Sequence, residues 1–134
     1  MKYKILIVDE AEEVLSTLKK NLEQEGYQVD TTPSTTAAFE KLKKDKYHIV
    51  LVNIEMPQMD GLALLREIKR YDSMAQIIMM TENSTLDHIL SSLEYGANDY
   101  IDQPLKNAEY VLKVIAYSVQ KLERWREAII QLIG

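Results

Sequence analysis

The side chains in this chain best suited to chemistry are oxygen-bearing ones placed where apolar runs end. Asp9 and Glu10 follow the run Ile5 to Val8, Asn53 stands at the end of a second run, Thr81 and Glu82 follow a third, and Gln103 precedes Pro104. Two adjacent carboxylates at such a place can hold a hard divalent cation through oxygen ligands. The same pair can serve as loop acids ahead of a helix, where negative charge favours the N-terminal dipole. The two roles do not exclude each other. Other chemistries are poorly served. There is no cysteine, so disulfides, thiolate metal sites and cysteine nucleophiles are out. His48 and His88 stand apart from every one of these clusters and read as surface or half-buried residues. Gly26, Gly61, Gly96 and Gly134 are too scattered for a phosphate-cradling loop. No nucleophile elbow and no Ser-His-Asp order is present, and the chain reads as no enzyme.

The elements that must position these groups are legible in the changing apolar period. Ile5 to Val8 is continuous, as in a strand buried on both faces. From Glu12 the spacing of Val14, Leu15, Leu18 and Leu22 is helical, and Glu25-Gly26 closes it. Tyr27 to Thr31 alternates like a strand, and Pro33-Ser34 opens a helix with Ala37, Ala38 and Leu42 on one face and a solvated end at Lys43 to Lys46. His48 to Ile54 carries the strongest strand signal. Met56-Pro57 and Asp60-Gly61 punctuate a loop before the helical stripe Leu62, Leu65, Ile68. Gln76 to Met80 is a buried strand, Leu86 to Tyr95 a helix stopped by Gly96, Asp99 to Asp102 a short strand, and Lys106 to Ile133 one long helix. Five strands alternating with five helices predict an α/β, doubly wound parallel sheet covered on both faces. Working groups in such sheets lie in loops at the carboxyl ends of the strands.

With 134 residues, 46% hydrophobic and 28% charged, the chain has the size and balance of one globular domain that needs no staple. Sixteen Lys and Arg against 21 Asp and Glu give a formal charge of -5, which argues against a broad nucleic-acid surface. No apolar run approaches the roughly 18 residues of a membrane span. Met1-Lys2-Tyr3-Lys4 leads straight into a β-branched run, unlike a secretion signal. A cytoplasmic protein with no membrane partner is expected.

Four strings carry a family resemblance: ILIVDE at 5–10, VLVNIEMPQMDGLALLREIK at 50–69, IIMMTE at 77–82 and GANDYIDQPL at 96–105. In this order and spacing, over residues 3 to 120, the chain resembles the receiver domain of two-component response regulators. The resemblance implies a flavodoxin-like (βα)5 fold with strand order 2-1-3-4-5. It also implies a switch linking the acid site to the face of the fourth helix, fifth strand and fifth helix. Under it, Asp9 and Glu10 match the acid pair that binds magnesium, and Glu55 matches the position that offers a backbone carbonyl to that metal. Asn53 sits at the phospho-accepting aspartate. Thr81 and Tyr100 fall at the switch hydroxyl and switch aromatic, Gln103 at the lysine that pairs with the phosphoryl group, and Glu82 at the pocket entrance, where a small residue is usual.

Three of these positions depart from the family pattern. An amide at Asn53 carries no charge and is a poor nucleophile, so a stable acyl phosphate is not expected there. Gln103 supplies a hydrogen bond without the positive charge, and Glu82 adds a carboxylate at the donor's entrance. The expectation is a signalling receiver that is not phosphorylated at Asn53, needs no cofactor, binds magnesium weakly or not at all, and works by protein–protein interaction. Two alternatives stay open: phosphate accepted on another acid, Asp9 or Glu55, or an inactive variant of a conventional aspartate-phosphorylated regulator. A flavodoxin-like cofactor binder or magnesium-dependent phosphatase would share the architecture, but the Met-Pro-x-Met-Asp-Gly loop and the missing phosphate loop speak against both.

The last helix is longer than a receiver needs. Residues 1–120 read as the receiver-like domain and 121–134 as a helical extension, serving as a dimerisation segment or as a linker to an output domain. Val111, Leu112, Ile115 and Val119 are expected to cover the sheet. Leu122, Trp125, Ile129 and Leu132, with Ile130 and Ile133, continue an apolar stripe beyond it, as at a partner surface. A sensor kinase or output domain docking on the last helices, or a homodimer through the tail, would use it. A parallel zipper with Ile115, Leu122 and Ile129 at the a positions would set Lys121 against Arg126 with like charge, leaving antiparallel, four-helix or heterologous pairing open.

Overall fold

The computed structural model describes residues 2–134, so Met1 of the expected N-terminal lead lies outside the described residues. Ten elements alternate: β1 (Lys4–Val8), α1 (Glu12–Gln24), β2 (Gln28–Thr32), α2 (Thr35–Lys44), β3 (Ile49–Asn53), α3 (Gly61–Tyr71), β4 (Gln76–Thr81), α4 (Leu86–Glu94), β5 (Asp99–Asp102) and α5 (Ala108–Ile133). All strand pairs are parallel, in the order β2-β1-β3-β4-β5. The expected α/β sheet and its strand order are both present. Strand and helix ends shift by a residue or two from expectation, and the long helix opens at Ala108 rather than Lys106.

Alternation along the buried strands sends side chains into two separate cores. Ile5, Ile7, Ile49, Leu51, Ile78, Met80 and Ile101 meet Leu15, Leu18 and Leu22 of α1 and Val111, Val114 and Ile115 of α5. Leu6, Val8, Val50, Val52, Ile77 and Met79 meet Ala38 and Leu42 of α2 and Leu64, Leu65 and Ile68 of α3. Each aliphatic side chain withdrawn from water in this way contributes about 1.5–3 kcal/mol.

Several faces differ from expectation. On α2 the buried residues are Thr35, Ala38 and Leu42, while Ala37 is exposed. Thr35 takes the inward place because its hydroxyl donates to the Met59 carbonyl at 2.6 Å. On α5, Val114 and Ser118 are fully covered, while Leu112 and Val119 lie at the border of the core. On α4, Leu86, Ile89, Leu90 and Leu93 all face solvent, and only Ser92 is buried. Its hydroxyl donates to the His88 carbonyl at 2.7 Å. A helical apolar period thus marks α4 correctly as a helix without saying that its apolar side faces the sheet.

Candidate functional site

Parallel register brings the ends of β1, β3, β4 and β5 side by side. Val8 pairs with Val52, Asn53 with Met80, and Thr81 with Asp102, so Asp9, Asn53, Thr81, Glu82 and Gln103 stand on one edge of the sheet. The loop from β3 to α3 folds tightly over this edge. The Gly61 N–H donates to the Ile54 carbonyl at 2.9 Å, and Asp60 caps α3 by accepting the Ala63 N–H at 2.9 Å. A Cβ on Gly61 would drive into the backbone carbonyl of Asn53, which is why the Asp-Gly pair ends this loop.

Asp9 is buried, and its Oδ1 accepts the Ala11 N–H at 2.9 Å. Burial raises its pKa, the Ala11 N–H opposes that rise, and the nearby charges of Glu10 and Glu82 add to it. Glu10 is exposed. The acids in the first turn of α1 are Glu12 and Glu13, so Asp9 holds the turn leading into the helix rather than the helix terminus itself. Half-buried Asn53 directs its Nδ2 to the Glu55 carbonyl at 3.0 Å and lies 3.8 Å from the Met56 sulfur. The carbonyl expected to face a cation therefore already accepts a protein hydrogen bond.

Buried Thr81 accepts the Asn83 N–H on its hydroxyl at 3.1 Å. Gln103 adopts a left-handed backbone, φ 49°, which turns the chain out of β5. Its N–H donates to the Thr81 carbonyl at 2.8 Å and its Nε2 reaches the Glu82 carbonyl at 3.5 Å. The Glu82 carboxylate accepts the Leu105 N–H at 3.3 Å. Glu82 thus ties the loop after β4 to the loop after β5.

Tyr100 is half-buried against the α2–α3 core. Its hydroxyl is 2.9 Å from Ser84 Oγ, which donates to Asp102 at 2.6 Å, so the Tyr100 hydroxyl is the donor to Ser84. Burial raises the Tyr100 pKa, the Ser84 contact opposes that rise, and the Asp102 charge adds to it. Neither Ser84 nor Asp102 stood out in the sequence. They lie 16 residues or more apart from their partners across α4, and no periodicity marks them.

Magnesium, which the family resemblance implies, finds an incomplete donor set. Asp9 and Glu10 supply carboxylates, but Asn53 brings a single neutral amide oxygen in place of a third carboxylate, and its N–H occupies the Glu55 carbonyl. Among the described residues no cluster of three or more His, Asp or Glu is placed to hold a metal ion. These residues do not fit a tightly held cation.

The two histidines and the tail residues lie elsewhere. His48 immediately precedes β3, at the opposite edge of the sheet, where its Nδ1 accepts the Lys4 N–H at 3.0 Å, and His88 lies in α4. The tail residues also leave the site, since α5 runs back along the sheet and past its amino edge. Leu122, expected in the exposed stripe, is half-buried against the α1–α5 core, because α5 still overlies the sheet there. Trp125, Ile129 and Leu132 are exposed as expected.

Residues 5–116 match the family model described as "Response regulator receiver domain". The chain belongs to this family. It is 35% identical over 116 residues to "Chemotaxis protein CheY" of Bacillus subtilis (strain 168), a match covering 86% of this chain and 96% of that protein. It is 30% identical over 112 residues to the "Uncharacterized transcriptional regulatory protein YkoG" of the same organism, covering 84% of this chain. There the chain spans only about half of its relative's length, 49%. The crystal structure of a CheY-like response regulator receiver domain protein from Methanospirillum hungatei JF-1 superposes with a TM-score of 0.88 at 29% identity, over 92% of this chain and 98% of that one. This receiver is therefore a module of two-component signalling, and no helix among its described residues is long and apolar enough to cross a membrane.

Proposed function

We propose that this receiver has lost phosphoryl transfer at the usual position and signals through phosphorylation-independent contacts with protein partners. The observation that carries this is the Asn53 amide, which donates to the Glu55 carbonyl at 3.0 Å where an acceptor would need a free carboxylate. An amide offers neither the charge nor the nucleophilic oxygen of an aspartate. Gln103 and Glu82 support the same conclusion. Gln103 brings no positive charge to a phosphoryl group, and the Glu82 carboxylate already accepts the Leu105 N–H, a tie made within the protein. No catalytic role follows for any residue of the site, and magnesium binding is weak, in about the millimolar range or beyond, given the donor set.

Partners would meet the last helices. Leu86, Leu90 and Leu93 on α4 and Tyr110 and Tyr117 on α5 are large apolar groups facing solvent on the two helices that flank β5 in the chain. A sensor kinase or an output domain is the class of partner such a face suits in a cytoplasmic signalling pathway.

The test is intact-mass spectrometry after incubation with magnesium and a small-molecule phosphoryl donor. The parent chain should gain no phosphate, while a variant carrying Asn53→Asp and Gln103→Lys should gain one. An adduct on the parent mapped to Asp9 or Glu55 would overturn the proposal.

A further inference from the structure

The amino edge of the sheet, opposite the acidic site, carries a groove of about 530 Å³. Tyr3, His48 and Met74, from the segments entering β1, β3 and β4, line one side, and Leu122, Arg126, Ile129 and Ile130 of α5 line the other. The Tyr3 hydroxyl donates to the Glu123 carboxylate and ties α5 to the sheet at this level. Beyond Glu123 every residue of α5 is exposed, ending with Leu132 at 87% and Ile133 at 79%.

The apolar side of the tail is wider than a single seam. At 100° per residue, Leu122, Ile129 and Ile133 form its centre, with Ile130 on one flank and Trp125 and Leu132 on the other, an arc of roughly 160°. One flank faces the groove and the other turns away from it. A small molecule in the groove would cover Ile129 and Ile130 and leave Leu132 and Ile133 in water. A helix laid along the tail would cover all of them.

Charge narrows the occupant further. The cations at the groove are already matched, Lys46 by Asp72 at 2.7 Å and Arg126 by Glu123 at 3.9 Å, so the rim has no net charge to offer a charged ligand. The tip of the tail, residues 128–134, has no charged side chain at all. A groove with its charges paired and a stretch of helix without charged side chains lie exposed on one molecule.

We propose that the groove receives the last turns of α5 from a second copy of this chain and that the exchange is mutual. The result is a two-fold homodimer of antiparallel tails. Symmetry lets each tip fill the other's groove, so both exposed surfaces are covered by one interface. A parallel pairing would leave the tips beside each other, away from the grooves, and would bring Lys121 against Arg126 of the second copy. The antiparallel run avoids that like-charge contact. This interface draws on nothing at Asn53 and holds whether or not the acidic edge accepts phosphate.

Because the chain has no cysteine, the arrangement can be read by cross-linking. Met74 and Ile133 are exposed, so Met74→Cys and Ile133→Cys leave the fold intact. Sedimentation should show a dimer of the parent chain, and oxidation of a mixture of the two variants should join position 74 of one copy to position 133 of the other. Met74→Asp and Ile133→Glu should each weaken the dimer by at least about tenfold through a charge set in an apolar contact. Mixing those two chains should restore association in part, since one tail–groove contact is then free of both changes. A parent chain that stays monomeric would overturn the proposal. So would a dimer indifferent to Met74→Asp that cross-links only Ile133→Cys to itself.

Discussion

The Asn53 side chain donates a hydrogen bond to the backbone carbonyl of Glu55, 3.0 Å away, and so closes the β3–α3 loop on itself. An aspartate could not make this bond, because an ionised carboxylate only accepts. In Asn53→Asp a carboxylate would face that carbonyl instead. We expect the variant to lose about 1–2 kcal/mol of stability without divalent cations and to regain it as magnesium is added. Urea unfolding with and without magnesium checks this. A variant as stable as the parent, with no response to magnesium, would contradict the account of the loop.

Ser84 holds Tyr100 from one side and Asp102 from the other. Removing the hydroxyl in Ser84→Ala should free the Tyr100 ring to sample a second rotamer and cost about 1 kcal/mol. Ring resonances of Tyr100 followed by NMR would broaden or shift in the variant. Unchanged resonances would mean that core packing alone holds the ring.

Gly61→Ala should be among the most damaging single-methyl additions in the chain. Its Cβ would meet the Asn53 backbone carbonyl, part of a strand end that cannot retreat without breaking the pairing of Asn53 with Met80. A loss of about 3 kcal/mol or more is expected, read by denaturant unfolding, along with a disturbed Asn53 amide signal. Gly26→Ala, where the same added Cβ has open space, would be strained by its φ of 95° alone and should cost less.

His48 makes stability sensitive to mild acid. Burial lowers its pKa below the ordinary 6.5, Lys46 adds to the lowering, and Asp72 opposes it. Its Nδ1 accepts the Lys4 N–H, which a proton there would displace. A folded pKa below the unfolded one means that the unfolded chain takes up the proton first as pH falls. The stabilisation is therefore complete above about 6.5 and is lost progressively as pH drops towards the folded value. Buried Asp9, whose pKa is raised, works the other way at lower pH, stabilising the fold as it is protonated. The measurement is the difference between parent and His48→Gln in unfolding free energy at pH 7.5 and 5.5. That difference should shrink with acid, and a constant difference would remove His48 as the source.

The alternation of strands and helices, the two-sided burial of β1, β3 and β4, and the placing of Asp9, Asn53, Thr81 and Gln103 at strand ends were all determined by the sequence. They depend on local period, on Gly, Pro and capping residues, and on motif strings, each complete within a few consecutive residues. What those polar groups do to one another was decided only by the tertiary structure. Asn53 reaching the Glu55 carbonyl, Glu82 accepting from Leu105, and Ser84 bridging Tyr100 and Asp102 depend on how crossovers bring loops together and on which way each side chain turns. The same holds for the helices. Period shows that Leu86, Leu90 and Leu93 share a helix, but packing against the sheet chose Ser92 for the interior and left the leucines outside. It likewise half-buried Leu122 while leaving Trp125, three residues on, in solvent, because the sheet ends between them. An apolar stripe records that a helix has something to cover, and only the fold determines how much of it the same molecule can reach.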